Sequence, residues 1–272
     1  MNIDLEPDLE RRFGGLRRLY GEPGYARLRA ARVAVVGLGG VGSWAVEALA
    51  RSGVAELTLI DLDHIAESNV NRQVQALGAT LGQAKAVALA ERVADIHPGC
   101  VVHVVEEFAG PDNWPALLLQ PVDAVIDACD QMRAKQTLAA WSWRQQQRGA
   151  HIAFVCVGAA GGKQLAQAVE VDDLVAVSHD PLLAALRQRL RQQEGAARKG
   201  PLGLRCVFSR ENVRKPEVPE GADCTLEIEG NLSCHGYGST VVVTAAFGFA
   251  AAGEVIQQLL RQTEKVGEKQ PL

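Results

Sequence analysis

The chain has 272 residues, 47% of them hydrophobic, enough for one large α/β domain or two small ones around a buried core. Its formal charge of −4 argues against a protein that coats nucleic acid with its whole surface, while leaving room for a local basic patch. None of the six cysteines pairs as C-x-x-C, which speaks against a zinc knuckle or a thioredoxin-type site.

Residues 1–12 lack the basic start and apolar core of a secretory signal, so together with the cysteine usage a cytoplasmic protein is expected. An arginine-rich lead, 10–32, carries Phe13, Leu16, Leu19, Tyr20 and Leu28 at spacings that predict one or two short helices. β-branched runs then predict strands at 32–36, 56–60, 101–105, 123–127 and 151–157. Helical periodicity falls between them at 41–52, 82–96, 114–119 and 132–148. This alternation predicts an α/β fold with a Rossmann-like, doubly wound sheet.

Beyond residue 157 the pattern loosens into a glycine-containing loop at 158–163, a strand-like 165–171 and a helix at 181–193. A strand at 204–208 and an apolar helix at 240–262 follow. The chain is expected to be a single domain, 1–272, with a nucleotide-binding core at 8–160 and a substrate-side extension at 161–272. The uncharged run 239–253 is shorter than the roughly 20 residues of a membrane span, so a buried core helix is expected. Peripheral contact with a membrane is left open. Cys100, Cys129, Cys156 and Cys206 lie in or beside apolar runs, where a thiol behaves as a small buried hydrophobe.

Gly37, Gly39, Gly40 and Gly42 form a G-x-G-G-x-G turn between the first strand and the helix after it. In that context glycines let backbone N–H groups approach a phosphate at the positive end of a helix. Asp61, at the tip of the next strand, is placed to accept bonds from ribose hydroxyls. These features indicate a nucleotide without choosing between NAD and ATP.

Asp63, Asn69, Arg72, Gln73, Lys85 and Asp130 make the choice. A dinucleotide needs little positive charge beyond the loop, whereas displacing pyrophosphate from an α-phosphorus needs cations on the triphosphate and Mg²⁺. Arg72 offers a planar fork, Lys85 a point charge and Asn69 a neutral donor. Asp130, just past the fourth strand, is a candidate metal ligand. Taken singly, each has a structural alternative as surface charge or helix cap.

At these residues the chain resembles the ubiquitin-activating, ThiF and MoeB superfamily of adenylating enzymes. The resemblance runs through R-F-G-G at 12–15, G-L-G-G-V-G-S-W at 37–44, D-L-D at 61–63, N-V-N-R-Q at 69–73, G-Q-A-K at 82–85 and D-A-C-D at 127–130. It implies ATP as substrate, Asp61 on the ribose, Asn69, Arg72 and Lys85 on phosphates, and Asp130 serving Mg²⁺ and the reaction. It further implies a homodimer in which Arg12 reaches the ATP of the other protomer.

Within that superfamily the chain is similar to the tRNA threonylcarbamoyladenosine dehydratases, through D-P-L-L-A-A-L-R at 180–187, C-V-F-S at 206–209 and T-A-A-F-G-F at 244–249. The implied reaction is ATP-dependent cyclisation of threonylcarbamoyladenosine in tRNA, with a sulfur-relay protein as a possible further partner. The alternative is adenylation of the C-terminus of a ubiquitin-like sulfur carrier, against which the missing C-x-x-C pairs weigh. A nucleotide-binding scaffold without turnover is a third reading.

From 187 to 215 the sequence holds nine Lys or Arg against two Glu, a local basic excess in an acidic chain. Its ordinary reading is the wet face of a helix followed by a loop. With the resemblance, Arg187, Arg191, Arg198 and Lys199 become candidate tRNA contacts.

Overall fold

A computed structural model describes residues 6–214 and 237–267. Lys215, Cys224 and Cys234 lie outside the described residues. The lead forms helix α1 (Leu9–Leu28), capped where the Asp8 carboxylate accepts the Arg11 N–H at 3.0 Å. It kinks at Gly21, whose φ is 71°, so it is two helical pieces in series. Phe13, Tyr25 and Leu28 bury its inner side.

Seven strands follow: β1 (Arg32–Val36), β2 (Glu56–Ile60), β3 (Val101–Val105), β4 (Ala124–Asp127), β5 (Ala153–Val157), β6 (Val169–Asp173) and β7 (Arg205–Ser209). They form one sheet in the order β3-β2-β1-β4-β5-β7-β6, parallel except for β6, which runs antiparallel to β7. The order reverses between β1 and β4, where open α/β sheets place their ligand crevice.

Side chains alternate across this sheet, and both faces are dry. Val33, Val35, Ala124, Ile126, Ala153 and Val155 join a core covered by α2 (Gly42–Arg51) and α3 (Lys85–Ile96). Ala34, Val36, Val125 and Phe154 face the other way, under α4 (Met132–Gln147) and α5 (Pro181–Gln193).

The last helix, α6 (Val241–Gly267), completes the first face. Val243, Phe247, Ala251, Val255 and Leu259 recur every fourth residue and are fully buried. The large members of that stripe each contribute roughly 1.5–3 kcal/mol by leaving water. The stretch Val241–Gln262 is long and apolar enough to cross a membrane by length and composition, which corrects the argument from the shorter run 239–253. Burial of the stripe against the sheet, rather than shortness, is what makes it a core helix.

Other boundaries differ for local reasons. Residues 114–119 form turns rather than a helix, with a cis Trp114–Pro115 peptide, and Trp114 and Leu117 are buried under the second face. α3 starts at Lys85 rather than residue 82, because Gly82 has φ 81° and Ala84 is still extended. The strand-like 165–171 is a 3₁₀ turn, Ala166–Ala168, leading into β6. Cys156 and Cys206 are buried, Cys100 and Cys129 partly so, and all four are free thiols. Burial pushes the Cys100 thiol up to about 12 and those of Cys129 and Cys156 well above the ordinary range, so these three are not ready nucleophiles.

Candidate functional site

β1 ends at Val36, and Gly37 turns the chain with φ 86° while its N–H donates to Ile60 O at 2.9 Å. A Cβ on Gly42 would stand 1.8 Å from Gly37 O, so this turn closes backbone against backbone and only glycine fits. The helix it opens, α2, has no side-chain cap and no acid in its first turn. Its positive end is therefore free for an anion. Gly37, Gly39 and Gly40 line the cleft, whereas Gly42 shapes the turn from behind.

Asp61 follows β2 and is buried, with its carboxylate accepting the Leu38 N–H at 2.6 Å and the Asp63 N–H at 2.8 Å. Burial raises its pKa above the usual carboxylate range, against the opposing pull of Lys85 and the two N–H groups. The remaining lone pairs stay available to hydroxyl donors. Asp63 accepts from Lys85 Nζ at 2.7 Å, so the two residues form an ion pair at the start of α3.

The segment between β2 and α3 supplies the other donors. Arg72 is buried, with Nη1 donating to Ser68 O at 2.5 Å and to Asn71 Oδ1 at 2.9 Å. Trp44 Nε1 donates to Arg72 O at 2.9 Å, tying this segment to α2. Nε and Nη2 of Arg72 have no partner among the described residues and keep the fork open for phosphate oxygens. Asn69 uses its carbonyl oxygen to accept the Ala66 N–H, and Gln73 uses its own to accept from Gln75, so both amides retain free N–H donors.

Asp130 stands past the carboxyl end of β4, exposed on the cleft wall, without a hydrogen bond or ion pair among the described residues. The N-cap of α4 is Gln131, so Asp130 is not that helix's cap. Behind it Lys135 Nζ lies 2.9 Å from Asp127 Oδ2, both side chains fully buried, and Asp127 Oδ1 accepts the Cys129 N–H at 3.1 Å. The pair pins the turn that carries Asp130.

One cleft thus brings together Gly37, Gly39, Gly40, Asp61, Asp63, Asn69, Arg72, Gln73, Lys85 and Asp130. Sequence reasoning missed its other walls: Glu107–Ala109 beyond β3, 158–161 beyond β5, Leu182 at the start of α5, and Thr244 on α6. Their signal was position, since most follow the carboxyl end of a strand.

Arg12 is not among these residues. It is exposed on α1, donating to Asp95 O at 2.8 Å and Ile96 O at 2.7 Å, the favourable place for a cation at the C-terminal end of α3. The basic stretch also divides. Arg205 pairs with Glu254 and Arg210 with Glu170, while Arg187 donates to the carbonyls of Leu174, Val175 and Val177 as a strut. Arg187 also lines a separate shallow groove together with Arg191 and Arg198, and Lys199 next to Arg198 in sequence is exposed.

The ThiF family pattern matches residues 13–270. The tRNA threonylcarbamoyladenosine dehydratase of Haemophilus influenzae is 40% identical over 255 residues, 93% of this chain and 95% of that protein. The crystal structure of the E. coli tRNA N6-threonylcarbamoyladenosine dehydratase, TcdA, in complex with ATP superposes with a TM-score of 0.83 and 38% identity, covering 98% of this chain and 100% of that one. Likeness to the molybdopterin-synthase adenylyltransferase of Salmonella typhimurium, 36% identical, is confined to 117 residues, 43% of this chain and 47% of that protein. With a pattern that runs from α1 into α6 and relatives matched nearly end to end, the chain belongs to the ThiF family.

Proposed function

We propose that this chain uses ATP to cyclise N6-threonylcarbamoyladenosine in tRNA through a carboxylate adenylate. The extent of the likeness carries this reading. Similarity to the dehydratases runs through both walls of the cleft, while similarity to the sulfur-carrier activator covers less than half of the chain.

The chemistry follows from the donors. ATP would lie with its ribose on Asp61 and its phosphates between the glycine turn, Asn69, Gln73, Arg72 and Lys85. An oxygen of the threonyl carboxylate attacks the α-phosphorus, the bond to pyrophosphate breaks, and the acyl-adenylate forms. Arg72 and Lys85 balance the charge that builds on the leaving pyrophosphate. A nucleophilic atom of the carbamoyl group then attacks the acyl carbon, AMP leaves and a proton is lost. The nucleoside ends lighter by one water, whose oxygen has left in AMP. No enzyme nucleophile is needed, in keeping with the raised thiol pKa of Cys129 in the cleft.

Mg²⁺ fits this donor set. Among the described residues no cluster of three His, Cys, Asp or Glu forms a metal cage. Mg²⁺ on a nucleotide instead takes one or two carboxylates together with phosphate oxygens. Asp130, exposed and unpartnered on the cleft wall, would hold it. The ion would draw charge away from the phosphates.

The 161–272 extension supplies the tRNA side of a single domain, sharing the sheet through β7 beside β5. Arg191, Arg198 and Lys199 are the proposed phosphate contacts, with Arg187 bracing the helix that presents them. Arg12, exposed and outside its own cleft, is assigned to the partner's cleft in a homodimer. Leu62, Val70, Leu77 and Leu81, exposed in the segment between β2 and α3, favour such an apolar contact. A cytoplasmic location accompanies this substrate, and a sulfur-relay partner enters by resemblance alone.

Exchange of labelled pyrophosphate into ATP tests the reading. It should require tRNA bearing threonylcarbamoyladenosine. Exchange driven instead by a carrier protein ending in Gly-Gly would replace it with the sulfur-carrier reading.

A further inference from the structure

Lys163 is 2% exposed and lies outside the set of residues that face the nucleotide. A lysine ammonium has three donors, and here each meets a main-chain carbonyl: Ser209 O at 2.9 Å, Glu211 O at 3.3 Å and His179 O at 3.4 Å. Two acceptors belong to the end of β7 and the turn after it, and the third to the lead into α5. Burial disfavours the charge and lowers its pKa, with Asp180 and Glu211 opposing that trend. The three bonds tie the end of β7 and the lead into α5 to the loop that carries Lys163.

What it fixes is the part of the cleft wall that follows β5. Residues 158–161 and Leu182 form that wall. Ala159 N–H donates to Asp180 Oδ2 at 2.9 Å, and the other oxygen of Asp180 caps α5 through Leu183 N–H, also at 2.9 Å. A Cβ on Gly158 would meet Asp180 Oδ2 at 2.1 Å, so the wall and the helix start are in the closest contact glycine allows. His179, whose carbonyl Lys163 binds, has φ 58°, the one non-glycine residue with positive φ among the described residues. A strained backbone of this kind persists only when its surroundings hold it. Glu211 secures the far end of the loop by accepting the N–H groups of Gln164 and Leu165, each at 2.9 Å.

We propose that Lys163 is a positioning residue for the nucleoside side of the cleft: by binding carbonyls from β7 and from the lead into α5, it sets the 158–161 wall against which the modified adenosine seats. This rests on the reading of the substrate given above. The nucleotide side, built from β1, β2 and α3, contains none of these contacts, so the effect of losing Lys163 falls on the tRNA and spares ATP.

Lys163→Ala separates the two. KM for modified tRNA should rise about tenfold to a hundredfold, the range for reactants displaced by around an ångström, while the directly measured Kd for ATP stays within about twofold. Methylammonium should restore KM by refilling the ammonium position, and tetramethylammonium, which has no N–H donor, should not. An unshifted KM, or a joint loss of ATP and tRNA affinity that methylammonium leaves untouched, overturns the proposal. Should Lys163→Ala fail to fold, Lys163→Gln, which keeps two N–H donors without the charge, is read by the same KM and Kd criteria. Wild-type protein that dehydrates no nucleoside would defeat the functional reading, whereas wild-type turnover with an unshifted variant KM defeats only the role of Lys163.

Discussion

Lys85 Nζ lies 2.7 Å from Asp63 Oδ2, with the lysine side chain 8% exposed and the aspartate 53% exposed. Asp130 faces solvent on the cleft wall, whereas Lys85 is buried and lines the cleft from within. Removing the lysine leaves Asp63 wet rather than stranded, so its loss is a loss of chemistry. Lys85→Ala and Asp130→Ala should each lower the rate of AMP formation by about 10²–10³-fold, the scale for losing one charge-stabilising group. Urea midpoints should stay close to wild type. A large drop in midpoint would make these residues structural.

Gly42→Ala tests the turn. The added methyl would collide with Gly37 O at 1.8 Å, and a backbone oxygen cannot swing aside as a side chain can. The loop must open, costing about 1–3 kcal/mol of overpacking strain together with most nucleotide affinity. Calorimetric titration with ATP should show little binding by a protein that remains folded. Wild-type affinity would contradict a phosphate role for this turn.

Much of this was legible beforehand, and what was missed shares a cause. β1, β2 and β4 are dry on both faces, so their β-branched runs read clearly, and the cleft residues announced themselves as polar groups just past strand ends. Trp114 and Leu117 read as a short helix because buried residues in consecutive turns imitate helical spacing. Lys135 and Lys163 gave no signal at all. A lysine in a helix or loop reads as solvated, and only the folded chain brings Asp127 to one and three carbonyls to the other.

Asp61 makes nucleotide binding depend on pH. Because the fold raises its pKa, Asp61 favours the folded state most at acid pH, and that contribution is lost as pH rises through the raised value. Ribose hydroxyls donate to the carboxylate, so binding favours the ionised form and reverses the trend. ATP affinity should therefore fall as pH drops through the raised pKa. The ratio of wild-type to Asp61→Asn affinity, followed from neutral pH down through the raised pKa, should shrink on acidification. A constant ratio would mean that Asp61 does not engage the ligand.

Lys135 and Asp127 form an ion pair with both side chains at 0% exposure. Burial pushes the ammonium pKa down, but Asp127 outweighs it and keeps the lysine charged. Lys135→Met strands a carboxylate and should cost about 3–5 kcal/mol in urea unfolding. Adding Asp127→Leu should recover much of that stability. Activity should not return with it, because the 128–131 turn has lost the bond between Asp127 and the Cys129 N–H. A double variant that regains both would reduce the pair to packing.

The most direct measurement is the mass of the target nucleoside after the purified protein has been incubated with ATP, Mg²⁺ and tRNA bearing threonylcarbamoyladenosine. The predicted result is a nucleoside lighter by one water, with one AMP and one pyrophosphate released for each one converted. ATP consumed without any change in nucleoside mass would contradict the account.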